Sequence, residues 1–252
     1  MKIPELVAHR GHAAHYPENT LPAIESALKA GSCYVEVDIQ LTADGVPVLF
    51  HDDDMQRITG HSQYITQLHA EQLAHYPASE KARFGNRFSE TAIPTLAELL
   101  TLLRSWPHRH AFIEIKEEST RRFGSKFVVQ RIMEQLTALG SQCIPISYEA
   151  AALETARALG AEKIGWVAAS WDEASHQIAR ELAPDYLFTN HLRLPEKRDE
   201  IWRGPWQWVL YEVTDPQLAL TLAAKGIEMI ETMEIEAMLS HPILNQRTCG
   251  GE

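Results

Sequence analysis

The chain reads as an α/β protein, a (β/α)8 TIM barrel with a small insertion after the second strand. Three observations predict this. Apolar strand-like runs and amphipathic helix-like stretches alternate from one end to the other, the pattern of a parallel sheet wrapped in helices. Eight strand signals can be counted, which suits a closed barrel better than an open doubly wound sheet. The length, 252 residues, is that of one such barrel, so residues 1–252 are expected to form a single domain.

The predicted strands are residues 6–9, 34–39, 110–116, 143–147, 163–167, 186–189, 208–213 and 228–231. Helical stretches lie between them at 21–30, 96–103, 127–139, 149–159 and 217–224. Thr95 and Glu98 make a capping-box pair after Pro94. Asp215-Pro216 reads as an N-cap followed by proline at the first helical position. Gly31, Gly140, Gly160 and Gly226 stand where helices should stop. Two places break the alternation. Thr42-Ala43-Asp44-Gly45 makes a tight turn, and residues 46–50 return as an extra strand ending at His51. Residues 53–93 then form a polar insertion of weak periodicity, a candidate lid or substrate-contacting segment.

With 45% hydrophobic and 23% charged residues, the composition is that of a soluble globular protein. No stretch approaches the roughly 18 uninterrupted apolar residues of a membrane span, and no apolar signal core follows Met1, so a cytoplasmic location is expected. The net charge of −11 argues against nucleic-acid binding through a basic surface and against docking on anionic membranes. A negative protein acting on a negative substrate needs a local positive focus. Cys33, Cys143 and Cys249 are odd in number and widely spaced, which predicts buried or idle thiols rather than a disulfide framework or a cysteine zinc site.

Residues 7–52 concentrate the chemistry. In Glu36-Val37-Asp38 the two acids share a strand face, while Val35, Val37 and Ile39 take the other. Glu114 and Lys116 repeat the arrangement two strands' worth of sequence later, with Ile113 and Ile115 opposite. Acids aimed into a barrel are costly unless a cation compensates them. Glu36, Asp38 and Glu114 together suit a hard, oxygen-preferring divalent cation such as Mg2+ or Ca2+. The competing reading leaves these acids on solvated edges or paired with bases. His9 and His51 close strands whose C-terminal ends face the mouth of a barrel, where imidazoles can act as acid and base on a phosphodiester. Arg10 offers a fork for phosphate oxygens and Lys116 a point charge, unless Lys116 merely pairs with Glu114. Asn19 or Thr20 is placed to cap the first helix, and Glu18 to orient Arg10 or a histidine from behind. His12 and His15 lie near the mouth without an assigned role; the remaining histidines read as surface residues.

With these residues in view, the chain resembles the glycerophosphodiester phosphodiesterase family. The resemblance rests on His9-Arg10-Gly11, Pro17-Glu18-Asn19-Thr20, Glu36-Val37-Asp38, Leu41-Thr42-Ala43-Asp44-Gly45 and Val48-Leu49-Phe50-His51-Asp52. Ile93-Pro94-Thr95-Leu96 and Glu114-Ile115-Lys116 extend it. It implies a barrel with an insertion after the second strand, Glu36, Asp38 and Glu114 as metal ligands, His9 and His51 as the acid/base pair, and Arg10 and Lys116 on the phosphate. The implied reaction is metal-dependent hydrolysis of small glycerophosphodiesters to sn-glycerol 3-phosphate and an alcohol, a step of lipid and glycerol metabolism. The C-terminal half departs from the pattern at Ser147-Tyr148, at Tyr211-Glu212-Val213-Thr214 and at Glu231-Thr232-Met233-Glu234, which bears on the alcohol side of the pocket. Two alternatives stand beside this reading. Lysophospholipase D-type cleavage of lysophospholipids predicts an apolar groove near the insertion, with Leu68, Leu73 and Phe84 as candidates. A non-catalytic phosphate-ligand binding protein predicts saturation without turnover.

Overall fold

Side-chain alternation along the strands divides their apolar residues between two cores. The computed structural model describes residues 2–246 and 249. Nine strands occur among them in chain order: β1 (Glu5–His9), β2 (Tyr34–Leu41), β3 (Pro47–Leu49), β4 (His110–Ile115), β5 (Cys143–Ser147), β6 (Gly165–Val167), β7 (Tyr186–Asn190), β8 (Gln207–Tyr211) and β9 (Met229–Thr232). All but β3 are parallel, and β1 pairs with both β2 and β9, which closes an eight-stranded barrel. Val7, Phe112, Ile144, Ile146, Val167, Phe188, Val209 and Met229 fill its interior. Val35, Val37, Ile39, Ile113 and Ile115 face outward into the larger core beneath the helices. Full burial of each such side chain contributes roughly 1.5–3 kcal/mol.

Local signals set most helix ends. Thr20 accepts the amide of Ala23 to open helix Leu21–Ala30, and Gly31 ends it at φ +107°. The Thr95/Glu98 capping box opens Leu96–Arg104, and Asp215 caps Pro216–Lys225, which stops at Gly226. Gly160, at φ +97°, lies just beyond helix Ala150–Ala158. Gly140 behaves differently: helix Ser125–Leu136 has already ended, and Gly140 opens a single 3-10 turn. Helices Glu117–Phe123, Glu173–Leu182 and Ile235–Leu239 lie outside the predicted stretches. Of the ten residues in Glu173–Leu182 only Ala179 and Leu182 are buried, so this helix is amphipathic but mostly polar and packs lightly on the barrel.

The hairpin after β2 forms as expected, with β3 antiparallel to β2 and Gly45 in the turn at φ +76°. Residues 53–93 carry short helices and their own satellite core of Met55, Ile58, Ile65, Leu68, Leu73, Ala78 and Ile93 under Val48 and Phe50. Leu68 and Leu73 are therefore buried inside this core and form no exposed groove. No helix among the described residues is long and apolar enough to cross a membrane.

The expectation of idle thiols holds only for Cys143, which is buried and free. Cys33 and Cys249 form a disulfide across 216 residues, with Cα atoms 5.2 Å apart. A pairing between cysteines so far apart leaves no local spacing signal. It fixes the end of the chain beside the start of β2. Removing so long a closed loop from the unfolded ensemble should contribute about 2–5 kcal/mol. Cys249→Ser should lower the urea midpoint accordingly; an unchanged midpoint under oxidising conditions would show that the bridge adds nothing.

Candidate active site

The mouth of the barrel is built outward from the turn that follows β1. Arg10 (φ +55°) and Gly11 (φ +79°) both take left-handed conformations there. A Cβ on Gly11 would meet the Ala23 carbonyl carbon at 2.7 Å, so only glycine lets this turn lie against helix Leu21–Ala30. The turn aims the Arg10 amide at Glu36 Oε2, 3.2 Å away, and sends its guanidinium to Glu18 Oε1 at 2.8 Å and Asp38 Oδ2 at 3.2 Å.

Register brings the acids together. Asp38 on β2 lies directly beside Glu114 on β4, and Glu36 lies beside His9 on β1. Lys116, just after β4, reaches Glu114 Oε1 at 3.0 Å and Asp38 Oδ1 at 3.4 Å, so it serves both acids rather than Glu114 alone. Asn19 (φ +56°) donates from Nδ2 to Asp38 Oδ2 at 2.8 Å and accepts the Asp38 amide at 3.0 Å. Thr20 takes the helix cap, which leaves Asn19 to hold Asp38.

His51 stands at the end of the β3 hairpin. Its Nδ1–H donates to Asp52 Oδ1 at 2.8 Å, which leaves Nε2 open. Arg57 forks onto Asp52 and, at 2.7 and 2.8 Å, onto both oxygens of Glu18. Glu80 accepts the Glu18 amide at 2.7 Å and is itself held by Arg83. The insertion thus braces the site from behind. Among the described residues, none of positions 53–93 lines the pocket; the segment meets the site through Arg57 and Glu80, behind Glu18 and Asp52.

That pocket has a volume of about 310 Å³. His9, Arg10, Glu36, His51, Glu114 and Lys116 form one wall; Tyr148, Asn190, Arg193, Tyr211, Glu212 and Glu231 form the other. All nine residues singled out in the sequence therefore lie in or directly behind one cavity. Glu231 was passed over as a departure from a motif, yet its Oε1 is 3.3 Å from His9 Nε2. Position at a strand end, the signal that singled out His9, applies equally to Glu231. Arg57 gave no such signal, because it lies in a segment without periodicity.

Electrostatics divide the acids into two groups. Burial, then Asp38 and Glu231, push Glu36 well above the usual carboxylate range. Burial raises Glu114, and burial with Glu114 raises Glu231 strongly. Burial also opposes ionisation of Asp38, but Arg10 and then Lys116 outweigh it and hold this carboxyl well below its ordinary value. Glu18 likewise stays low because Arg57 and Arg10 overcome its burial. Burial and the Arg10 charge press His9 down to about 3, so its ring is neutral near pH 7. Oxygens of Glu36, Asp38 and Glu114 can be chosen within 4.8 Å of one another, and Glu36 Oε1 is buried without a hydrogen-bond partner. An all-oxygen donor set with an orphaned carboxyl oxygen fits a hard divalent cation.

Comparison with known proteins gives a consistent result. The sequence model of the glycerophosphoryl diester phosphodiesterase family matches residues 9–186. Over 95 residues the chain is 44% identical to glycerophosphodiester phosphodiesterase 1 of Rattus norvegicus, covering 38% of this chain and 29% of that protein. It is 33% identical over 132 residues to a glycerophosphodiester phosphodiesterase of Bacillus altitudinis, covering 52% of each. The chain thus spans about half or less of the length of these curated relatives. The fold matches an Oleispira antarctica phosphodiesterase solved in complex with the product sn-glycerol-3-phosphate, with a TM-score of 0.84, 25% identity, and coverage of 94% of this chain and 96% of that one. A Parabacteroides distasonis glycerophosphodiester phosphodiesterase shares the fold at a TM-score of 0.80 and 20% identity, covering 98% and 99%.

The raised acids make a signed prediction. Above the ordinary Glu value of about 4.3, the unfolded chain has released protons that folded Glu36, Glu114 and Glu231 still hold. Stability without a cation therefore falls as pH rises from there toward their raised values. A cation at ~100 times its Kd adds about 2.7 kcal/mol at a fixed pH. Thermal unfolding should show the gap between Mg2+- or Ca2+-loaded and chelated protein widening as pH rises above about 5, and Glu36→Gln should narrow it. A gap independent of pH would rule the carboxylate cluster out as the cation site.

Proposed function

The chain belongs to the glycerophosphoryl diester phosphodiesterase family, and on that premise we propose that it hydrolyses glycerophosphodiesters to sn-glycerol 3-phosphate and an alcohol such as choline or ethanolamine. One observation carries the reading: two histidines, a cluster of buried carboxylates and two cationic side chains share a single pocket. Glu36, Asp38 and Glu114 would hold the Mg2+ or Ca2+ on which the family depends. Bound there, the cation supplies Lewis-acid polarisation of a phosphoryl oxygen.

The side chains account for the remaining chemistry. The Lys116 ammonium has three N–H donors, of which two are engaged by Asp38 and Glu114 and one is left for a phosphate oxygen. Arg10, pinned by Glu18 and Asp38, presents its remaining guanidinium N–H to the same group. Both stabilise charge that grows on the equatorial oxygens during displacement. His9 and His51 form the acid/base pair: one takes the proton of the attacking oxygen, the other gives a proton to the departing alkoxide. Asp52 fixes the His51 tautomer so that Nε2 exchanges the proton. Glu231 holds the His9 ring from behind.

The far wall favours a small polar alcohol over a lipid chain. Asn190, Arg193, Tyr211 and Glu212 line it, with Arg193 donating to the Tyr211 hydroxyl at 3.1 Å and Asn190 to Glu212. The side chains that would have formed a lipid groove are turned elsewhere: Leu68 and Leu73 lie in the satellite core, and Phe84 packs edge-on against Phe88. No observation favours the lysophospholipid reading or a purely binding role.

The test is release of glycerol 3-phosphate from glycerophosphocholine with Mg2+, Ca2+ or chelator. Metal-dependent release is expected, and His51→Ala should lower kcat by roughly 10²–10⁴-fold. No release with any metal from this substrate or its ethanolamine analogue would overturn the proposal. Substrates with a 4-nitrophenol leaving group then separate the two histidines. The alanine variant of the general acid should recover most of its lost rate on such a substrate, and that of the general base should not.

A further inference from the structure

A second cluster of ligand-type side chains lies beside the seam where the first and last barrel strands meet. His12 follows the turn after β1, with its amide donating to the Ala23 carbonyl at 2.9 Å. Its ring is 3% exposed. Nδ1 is 3.0 Å from the hydroxyl of Ser26 on helix Leu21–Ala30, and Nε2 is buried with no hydrogen-bond partner. That orphaned nitrogen points toward the carboxylate of Glu236, on helix Ile235–Leu239 after β9, at 3.9 Å. This is within ion-pair range and beyond a hydrogen bond. His15 stands edge-on to His12 with ring centroids 4.8 Å apart. One ligand atom from each of His12, His15 and Glu236 can be chosen so that all three lie within 4.8 Å of one another.

We propose that His12, His15 and Glu236 form a binding site for a borderline divalent cation of the Zn2+, Co2+ or Ni2+ class, separate from the carboxylate cluster in the pocket. Buried polar atoms are seldom left without a partner, and a metal ion would satisfy His12 Nε2. A ligating imidazole commonly donates its other N–H to a fixed acceptor, and Ser26 provides one for Nδ1. Burial and the neighbouring His15 push the His12 imidazole below its ordinary value, which keeps the ring neutral and the lone pair available. Tetrahedral bonds of ~2.0–2.1 Å would draw the three ligand atoms to about 3.4 Å apart. His15 and Glu236 are exposed and can close that distance by changes of side-chain torsion.

Donor chemistry distinguishes this site from the catalytic one. Two imidazoles and one carboxylate select borderline ions, whereas three carboxylates select Mg2+ or Ca2+. Bound here, the ion would clamp the loop that carries Arg10, Glu18 and Asn19 to the helix after β9. Nearby, the Ala14 amide donates to the carbonyl of Met233, just before that helix, at 3.2 Å. The site would therefore be structural, bracing the loop behind the pocket.

The experiment is equilibrium dialysis of the full chain against Zn2+ in excess Mg2+, paired with Co2+ visible absorption and thermal unfolding. About one Zn2+ per chain should be retained, with the unfolding midpoint raised by ~5 °C or more at saturation. His15→Ala and Glu236→Gln alter exposed side chains and should leave the fold intact. Each should weaken Zn2+ binding at least ~10-fold and abolish the Co2+ ligand-field band. Glu114→Gln should leave Zn2+ binding unchanged. Equal Zn2+ affinity in the native chain, His15→Ala and Glu236→Gln would overturn the proposal, as would loss of Zn2+ binding in Glu114→Gln.

Discussion

Like charges buried together repel strongly, and the mouth of this barrel holds four carboxylates, from Glu36, Asp38, Glu114 and Glu231, around one space. Two permanent cations, Arg10 and Lys116, face them. Four negative charges against two positive leave two negative, the charge that one divalent cation balances. The surrounding structure manages this imbalance. Asp38 receives both cations and an asparagine, so it keeps its charge, while Glu36 and Glu231 receive less help and hold their protons harder. The site is consequently strained electrostatically, and a divalent cation held there would relieve that strain.

A second layer holds the first in place. Arg57 bridges Asp52 behind His51 and Glu18 behind Arg10, so a histidine and a guanidinium of the same wall share one brace. Glu80 and Arg83 extend the brace to the carbonyl of Ala13. These contacts join the insertion to the turn after β1, and they explain why a long polar segment folds tightly over its own small core. Its contribution is orientation of other residues, for which modest free energies suffice because each hydrogen bond involves at least one charged partner.

Much of this was legible in the sequence, for reasons that differ between elements. Glu36 and Asp38 were visible because period-two alternation puts both on one face, and β2 obeys it along its full length. The hairpin bearing His51 was visible because Thr42 to Gly45 is a self-contained turn. Residues whose roles depend on distant partners were not. Glu231 acquires meaning only when β9 closes beside β1, and Arg57 only when the insertion folds back 39 residues. The Cys33–Cys249 bridge joins residues 216 positions apart, a separation that leaves no local signal. Local chemistry and the closed barrel could be read directly; the pairings that closure creates could not.

The pocket's two walls come from different parts of the chain. Apart from Glu231, the charged machinery lies on β1, β2, β4 and the hairpin, within residues 9–116, while the far wall comes from the strand ends of β5 to β8. Each half of the barrel can therefore accumulate changes on its own schedule. Mutations that reshape the wall around Tyr148, Asn190, Arg193, Tyr211 and Glu212 leave the proton and phosphate contacts untouched. If the proposed reaction holds, drift in the second half would exchange leaving groups, and a recombined enzyme with a transplanted second half would inherit its donor's taste for alcohols along with the host's chemistry.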